Sequence, residues 1–276
     1  MNSVPEWRAP DRATFEREVL AHDRPAVLRG VAGHWPAVQA GQAGPQGAAA
    51  YIARHDSGAL VDAILIPPAE HGRLFYAPGM EGFNFLRNRV TVSSVIEQVA
   101  RYSHFASAPS VAVQSALMRE CVPGLLESHR LPLLDAAVEP RIWVGNHVIT
   151  PAHFDQSHNI ACVVSGRRRF TLFPPEQLDN LYIGPLDFAP TPTPISLVDF
   201  HAPDFERFPR FRAALETACV VDLEPGDALY IPTLWWHHVE SFGVFNVLVN
   251  YWWRTPDHPG ARSLESVVTA LRRGSR

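Results

Sequence analysis

The chain has 276 residues, 46% of them hydrophobic and 19% charged, with a net charge of -4. These values suit a globular protein with a sizeable core and exclude a disordered chain or a uniformly basic nucleic-acid binder. No run approaches the ~18 consecutive apolar residues of a membrane span, the first 20 residues lack the apolar centre of a secretory signal, and Cys121, Cys162 and Cys219 form neither a disulfide framework nor a CxxC metal site.

Reduced, buried thiols and a cytoplasmic location are therefore expected, with no membrane partner. Lysine is absent, so all 24 basic residues are arginine. Together with abundant Ala and Pro this is the coding bias expected of a GC-rich, bacterial genome. Any site that needs a fixed cation must then use arginine.

In chain order, a first helix is predicted from Arg12 or Phe15 to Ala21, with Asp11 or Thr14 as its N-cap. Pro25–Leu28 reads as a short strand, and Gly41–Gly47 (GQAGPQG) as a flexible loop. A helix opened by Ser93 runs to Tyr102 with Ile96 and Val99 facing inward, and Pro123–Leu134 is helical in part. After Glu139 the texture changes to short apolar and β-branched runs bounded by Gly, Pro and Asp. These are Arg141–Val144, Ile160–Val164, Arg169–Phe173, Ala218–Leu223, Ala228–Ile231 and Val244–Trp253. Such spacing predicts an antiparallel sandwich or barrel. Residues 183–210 form a proline-crowded loop inside it. Arg262–Arg273 closes the chain as an amphipathic helix, with Leu264, Val267, Val268 and Leu271 on one face. The expected organisation is one domain: a helical and mixed part (1–138), a β core (139–254) and a C-terminal helix (255–276).

Two short stretches carry chemistry. His153-Phe154-Asp155 places an imidazole and a carboxylate two residues apart, which on a strand puts both on one face. In a chain with 13 histidines a bare His-x-Asp/Glu is a weak signal, and His238-Val239-Glu240 is another such match. The second stretch is Tyr230-Ile231-Pro232-Thr233-Leu234-Trp235-Trp236-His237-His238-Val239, a strand ending at a proline and followed by histidines among tryptophans. Two histidines and one carboxylate on one side of a metal leave three positions open, the facial arrangement of non-haem iron oxygenases. The competing reading is a pair of hydrogen-bonded core histidines among packed aromatics.

The run Thr150-Pro151-Ala152-His153-Phe154-Asp155-Gln156-Ser157-His158-Asn159, then Gly166-Arg167-Arg168-Arg169-Phe170-Thr171-Leu172-Phe173-Pro174-Pro175, resembles the JmjC/cupin-like 2-oxoglutarate oxygenases, and among them the asparaginyl hydroxylases. The likeness continues through Asp204–Pro209, Pro225–Pro232, Trp235–Ser241 and Val249–Trp252, and more loosely through Arg24–Gly30 and Trp35-Pro36. It implies a mainly β fold, the double-stranded β-helix or jelly roll, with helices before it and a short helix after. It also implies Fe(II), 2-oxoglutarate as co-substrate, and O2. By the resemblance His153, Asp155 and His237 hold iron, while His238 is structural. Thr150 and Asn159 would bond 2-oxoglutarate, Tyr76 would reach its distal carboxylate, and Asn250 and Trp252 would line the metal side. The alternation Asn246, Leu248, Asn250, Trp252 independently puts these four on one face of the last strand.

Two departures from the family pattern matter. The lysine that anchors the distal carboxylate falls on Arg168, which can hold a carboxylate bidentately, while Arg167 and Arg169 alternate to the opposite face. The Arg-Gln pair that grips the asparagine side chain falls on Pro194-Ile195, so asparagine is not carried over as the target. The expected activity is a dioxygenase that hydroxylates a protein or peptide side chain. A modified tRNA base, a small molecule and a non-catalytic metal-binding jelly roll are the alternatives. The C-terminal helix would serve a homodimer.

Overall fold

A computed structural model describes residues 2–254. The helix expected over Arg262–Arg273, and the homodimer assigned to it, lie outside the described residues. Twelve strands are found among those described. They are β1 (Glu6–Arg8), β2 (Ala26–Arg29), β3 (Val61–Ile66), β4 (Leu86–Val90), β5 (Ser110–Val113), β6 (Ala116–Leu117), β7 (Pro140–Gly145), β8 (Ile149–His153), β9 (His158–Phe173), β10 (Cys219–Leu223), β11 (Ala228–Ile231) and β12 (Trp236–Trp253). They join in the order β1-β2-β11-β9-β12-β7-β5-β3-β4, with β10 on β9, β6 on β7 and β8 on β12. Only β1 with β2 is parallel; the other strand pairs are antiparallel. The fold is a mainly β jelly roll.

Two long strands make the roll. The early part of β9 pairs with β11 (Asn159↔Ile231 to Cys162↔Ala228), and its late part with β10 (Arg168↔Leu223 to Leu172↔Cys219). In the same way β12 pairs with β8 near His237 and with β7 from Asn246 onward. Both strands bend at matching places. Gly166 sits at φ 75° and Gly243 at φ 100°, a left-handed conformation that L side chains rarely adopt. The β9–β12 register shifts between Phe242 and Leu248. Sequence reading split β9 in two at Gly166 and began the last strand only at Val244, whereas each ladder runs through its glycine.

Alternation decides which side chains face where. Ala161 and Val163 of β9 and Leu248 of β12 point into the roll, with Phe170, Leu172, Leu229 and Val239. Ile160, Cys162, Val164, Val247 and Val249 point outward, under Trp35, Ile52 and Val95 of the N-terminal helices. Residues 158–165 are consequently buried on both faces, which is why Ile160–Val164 within them read as an unbroken apolar run. Beyond Gly166 one face is solvated, and Arg167 and Arg169 are exposed.

The N-terminal part holds more order than its sequence suggests. The GQAGPQG stretch joins two helices, Pro36–Gly41 and Pro45–Arg54, because Pro45 fits the first position of a helix and only Gln42–Gly44 is left as turn. The helix expected from Ser93 begins at Val92, since the Thr91 hydroxyl accepts the Ser94 N–H (3.1 Å) and is the cap. Its Ile96 and Val99 are buried as expected. Arg12–His22 is helical, with a wide π turn over Phe15–Val19, and Asp11 caps it through the Thr14 N–H at 2.8 Å. Pro123–Leu134 contains a single 3-10 turn, Pro123–Leu125. No helix of the described residues is long and apolar enough to cross a membrane.

Candidate metal centre and co-substrate cavity

β8 ends at His153, so Asp155 lies in the turn that follows and not on the strand. The expectation that strand alternation alone brings the two together is therefore corrected. Asp155 is aimed by hydrogen bonds: Trp252 Nε1 donates to its Oδ2 at 2.9 Å and Asn159 Nδ2 donates to the same oxygen at 3.2 Å. Asn250 Nδ2 in turn donates to Asn159 Oδ1 at 2.7 Å. The proline-rich loop covers the turn and the free edge of β8. There Thr193 Oγ1 donates to the Phe154 carbonyl (2.6 Å) and the Ser196 N–H to the Ala152 carbonyl (2.7 Å).

His237 stands directly opposite His153 in the β8–β12 ladder. Each ring donates its Nδ1–H to the carbonyl two residues earlier, His153 to Pro151 (2.9 Å) and His237 to Trp235 (3.0 Å). That fixes the tautomer and leaves both Nε2 lone pairs facing inward. His237 Nε2 lies 3.7 Å from Asp155 Oδ2, and ligand atoms of His153, Asp155 and His237 all fall within 4.8 Å of one another. Burial, then the neighbouring His237, pushes the His153 pKa down to about 4, so the ring stays neutral and able to ligate. The donor set, two imidazoles and a carboxylate on one side, fits a facially bound iron(II). His238 points the other way, stacked on Phe200 (4.5 Å), with its pKa lowered by burial to about 3.

The centre opens on a cavity of about 320 Å³. Thr150, Asn159, Arg168, Asn250 and Trp252 all line it, with Phe170, Val239 and Leu248 as its apolar wall. Arg168 makes no ion pair among the described residues, and its Nε is buried without a hydrogen-bond partner. Burial alone lowers its pKa to about 10. A guanidinium held this way, with nothing to match its charge, is costly unless an anion joins it. The carboxylate of a small dicarboxylate such as 2-oxoglutarate fits that need, and arginine serves where the chain has no lysine.

Tyr76 does not join them. Its hydroxyl donates to the Phe188 carbonyl at 2.8 Å and its ring packs among Phe75, Phe83 and Phe188, away from the cavity wall. Asn246 also leaves the set, because the register shift before Leu248 turns it toward the carbonyls of Asn146 and Gly243. Pro194 and Ile195 are buried outside the cavity, and Pro190, Thr191 and Pro192 face it instead.

Sequence reasoning missed several lining residues: Arg141 and Trp143 of β7, Asp62 of β3, Arg87 of β4, and Gln114 and Ser115 after β5. The signal was present in β7, where Ile142 and Val144 are buried outward and Arg141 and Trp143 alternate inward. An inward face carrying arginine is easily taken for a solvent face.

Comparison with known proteins places the chain in a family. A family profile described as Cupin-like domain matches residues 12–258. HSPB1-associated protein 1 of Homo sapiens is 36% identical over 135 residues, 48% of this chain and 27% of its own length. Jumonji C domain-containing protein 5 of Drosophila melanogaster is 30% identical over 159 residues, 57% of this chain and 37% of its own. Lysine-specific demethylase 8 of Xenopus tropicalis is 23% identical over 258 residues, 91% of this chain and 53% of its own. The chain thus spans between a quarter and about half the length of these relatives. The chain belongs to the JmjC/cupin-like family of oxygenases, which use Fe(II), 2-oxoglutarate and O2.

Proposed function

We propose that this chain is a 2-oxoglutarate-dependent dioxygenase that hydroxylates a protein side chain, with His153, Asp155 and His237 as its iron ligands. The observation that carries this reading is the convergence of those three ligand atoms and the unpaired Arg168 guanidinium on one cavity. Iron, when bound there with 2-oxoglutarate, supplies the oxidising power for attack on an unactivated C–H bond.

The chain's own residues bind and orient. His153 and His237 offer their Nε2 atoms, and Trp252 and Asn159 hold the Asp155 carboxylate beside them. Arg168 anchors the distal carboxylate, with the Thr150 hydroxyl lining the same cavity. Phe170, Val239 and Leu248 keep that end dry, which strengthens the guanidinium–carboxylate contact. A metal-binding module without catalysis has no use for a buried cation beside the ligands. A polypeptide substrate is supported by the name of one relative, a lysine-specific demethylase, and the net charge of -4 weighs against tRNA. We read residues 1–276 as one catalytic domain.

Anaerobic titration of iron(II)-loaded protein with 2-oxoglutarate, followed by its visible charge-transfer band, tests the reading. A saturable band is expected, abolished in His153→Ala and weakened in Arg168→Ala. Bound iron with no band on adding 2-oxoglutarate would refute it.

A further inference from the structure

The cavity has a second charged end that the cofactors do not use. Five charged side chains line it: Arg87, Arg141 and Arg168 against Asp62 and Asp155. Asp155 and Arg168 belong to the metal and the co-substrate. Two guanidinium groups and one carboxylate remain for whatever is oxidised. No ion pair within 4.0 Å joins any of these three to another described residue.

Arg141 is the best placed. It lies directly across the β7–β12 ladder from Asn250, so both side chains point to the same face. Asn250 in turn bonds Asn159, which holds Asp155, so Arg141 sits one strand away from the network that aims the metal ligand. Its backbone is set in the sheet, and one of its donors, Nη1–H, is bonded to the Ser115 carbonyl at 2.8 Å. A guanidinium has five donors, so the others remain for the cavity. Gln114 borders the same space, and Arg87 reaches it from the edge strand β4, resting on the Phe85 ring.

Resting on the dioxygenase reading above, we propose that Arg141, supported by Arg87, forms a subsite for a carboxylate of the polypeptide substrate, an Asp or Glu side chain close to the residue that is oxidised. One side-chain carboxylate matches two cations flanked by Asp62. A nucleic acid carries a charge at every nucleotide and would meet Asp62 with repulsion and few further cations. Pro190 and Pro192 have no backbone N–H and Thr191 adds only neutral groups, so this wall carries no cation and the arginines supply the charged recognition on the side of β7 and β4.

The test uses the whole chain loaded with Mn(II), which binds oxygen and nitrogen ligands without turnover, and 2-oxoglutarate. Binding of three degenerate peptide pools, with Glu, Gln or Arg fixed at one position, is read by fluorescence anisotropy. The Glu pool should bind about tenfold more tightly than the Gln pool, and the gap should shrink to about twofold in Arg141→Gln, as expected for loss of one charge-assisted contact. Arg87→Gln should narrow it less, and Asp62→Asn should widen it. Equal binding of the Glu and Gln pools, preference for the Arg pool, or a preference unchanged in Arg141→Gln would overturn the proposal. A single-stranded RNA that outcompetes the Glu pool and is lost in Arg141→Gln would overturn it in favour of phosphate. Mn(II) and 2-oxoglutarate affinities of the wild type are measured first. Their absence sinks the dioxygenase reading, whereas a lost Glu preference with those affinities intact sinks this proposal alone. If Arg141→Gln fails to fold, Arg141→Lys, which keeps charge but loses the fork, should give an intermediate gap.

Discussion

At the scale of single residues, His153 and His237 solve one problem in the same way. Each commits Nδ1–H to the carbonyl two positions earlier and so aims Nε2 at a shared point. The two stretches were legible as candidates because a histidine beside a carboxylate and a second histidine after a strand-ending proline form a recognisable pair, and the family resemblance pointed to His237 rather than His238. Arg168 was reached differently, through the family position that usually carries lysine, with the lack of any lysine in the chain making arginine the expected substitute. Its buried Nε and lowered pKa give a graded prediction. Arg168→Gln should raise the 2-oxoglutarate Kd about 100-fold, the loss of a bidentate charged contact of roughly 2–3 kcal/mol. Arg168→Lys should fall between the two, because an ammonium is a point charge without the fork. Calorimetric titration with Mn(II) present checks both. Tyr76 was misread since nothing local says where a ring will pack; three aromatic neighbours and the Phe188 carbonyl took it elsewhere.

At the scale of elements, composition concealed what long-range pairing created. β3, β4 and β5 were not anticipated. β4 (Leu86–Val90) carries two arginines and an asparagine and is largely exposed, so it lacks the alternation that marks a strand. Its order comes from pairing with β3. The close approach of β5 to β7 rests on Gly145, where a Cβ would press into the Val111 carbonyl and Ala112. Gly145→Ala should cost about 2 kcal/mol by overpacking, measurable as a lower urea midpoint with an unchanged slope.

The helical layer has its own pH dependence through His129. This buried ring accepts the Ala37 N–H at Nε2 (3.3 Å) and donates Nδ1–H to the Leu125 carbonyl (2.9 Å), so both nitrogens are satisfied only in the neutral form. Burial pushes its pKa below the ordinary 6.5, and nearby His55 and His34 push the same way. The unfolded chain therefore takes up this proton more readily than the folded one. The contribution is full above pH 6.5 and is lost as pH falls toward the folded value, by up to ~1.4 kcal/mol per pH unit. Thermal unfolding of wild type and His129→Gln between pH 7.5 and 5.5 should show a shallower decline in the variant.

For the molecule as a whole, the cofactors should stabilise the fold as well as equip it. The proposed ligands come from β8, the following turn and β12, and the proposed anchor from β9, so occupancy would link segments far apart in sequence. At 100 times the Kd, Mn(II) and 2-oxoglutarate together should add at least about 2.7 kcal/mol, seen as a rise in Tm that a chelator reverses and that Asp155→Asn largely removes. The jelly roll itself was readable from the short strands after Glu139, since their spacing and turn residues are local. Its two long strands were not, because a bend with a left-handed glycine is written in the sequence like an end.

That bend in β12 has a consequence for how such a chain can vary. His237 lies before it, and Asn250 and Trp252 lie after it, yet His237 and Trp252 both converge on Asp155. Gly243 and Val244 at the bend are exposed, the kind of position where insertions are ordinarily harmless. Adding or deleting one residue there would invert the parity of everything downstream, turning Asn250 and Trp252 to the outer face while His237 kept its place. Drift over generations should therefore be open in the identity of Val244, held to glycine at Gly243 by its left-handed backbone, and closed in the number of residues.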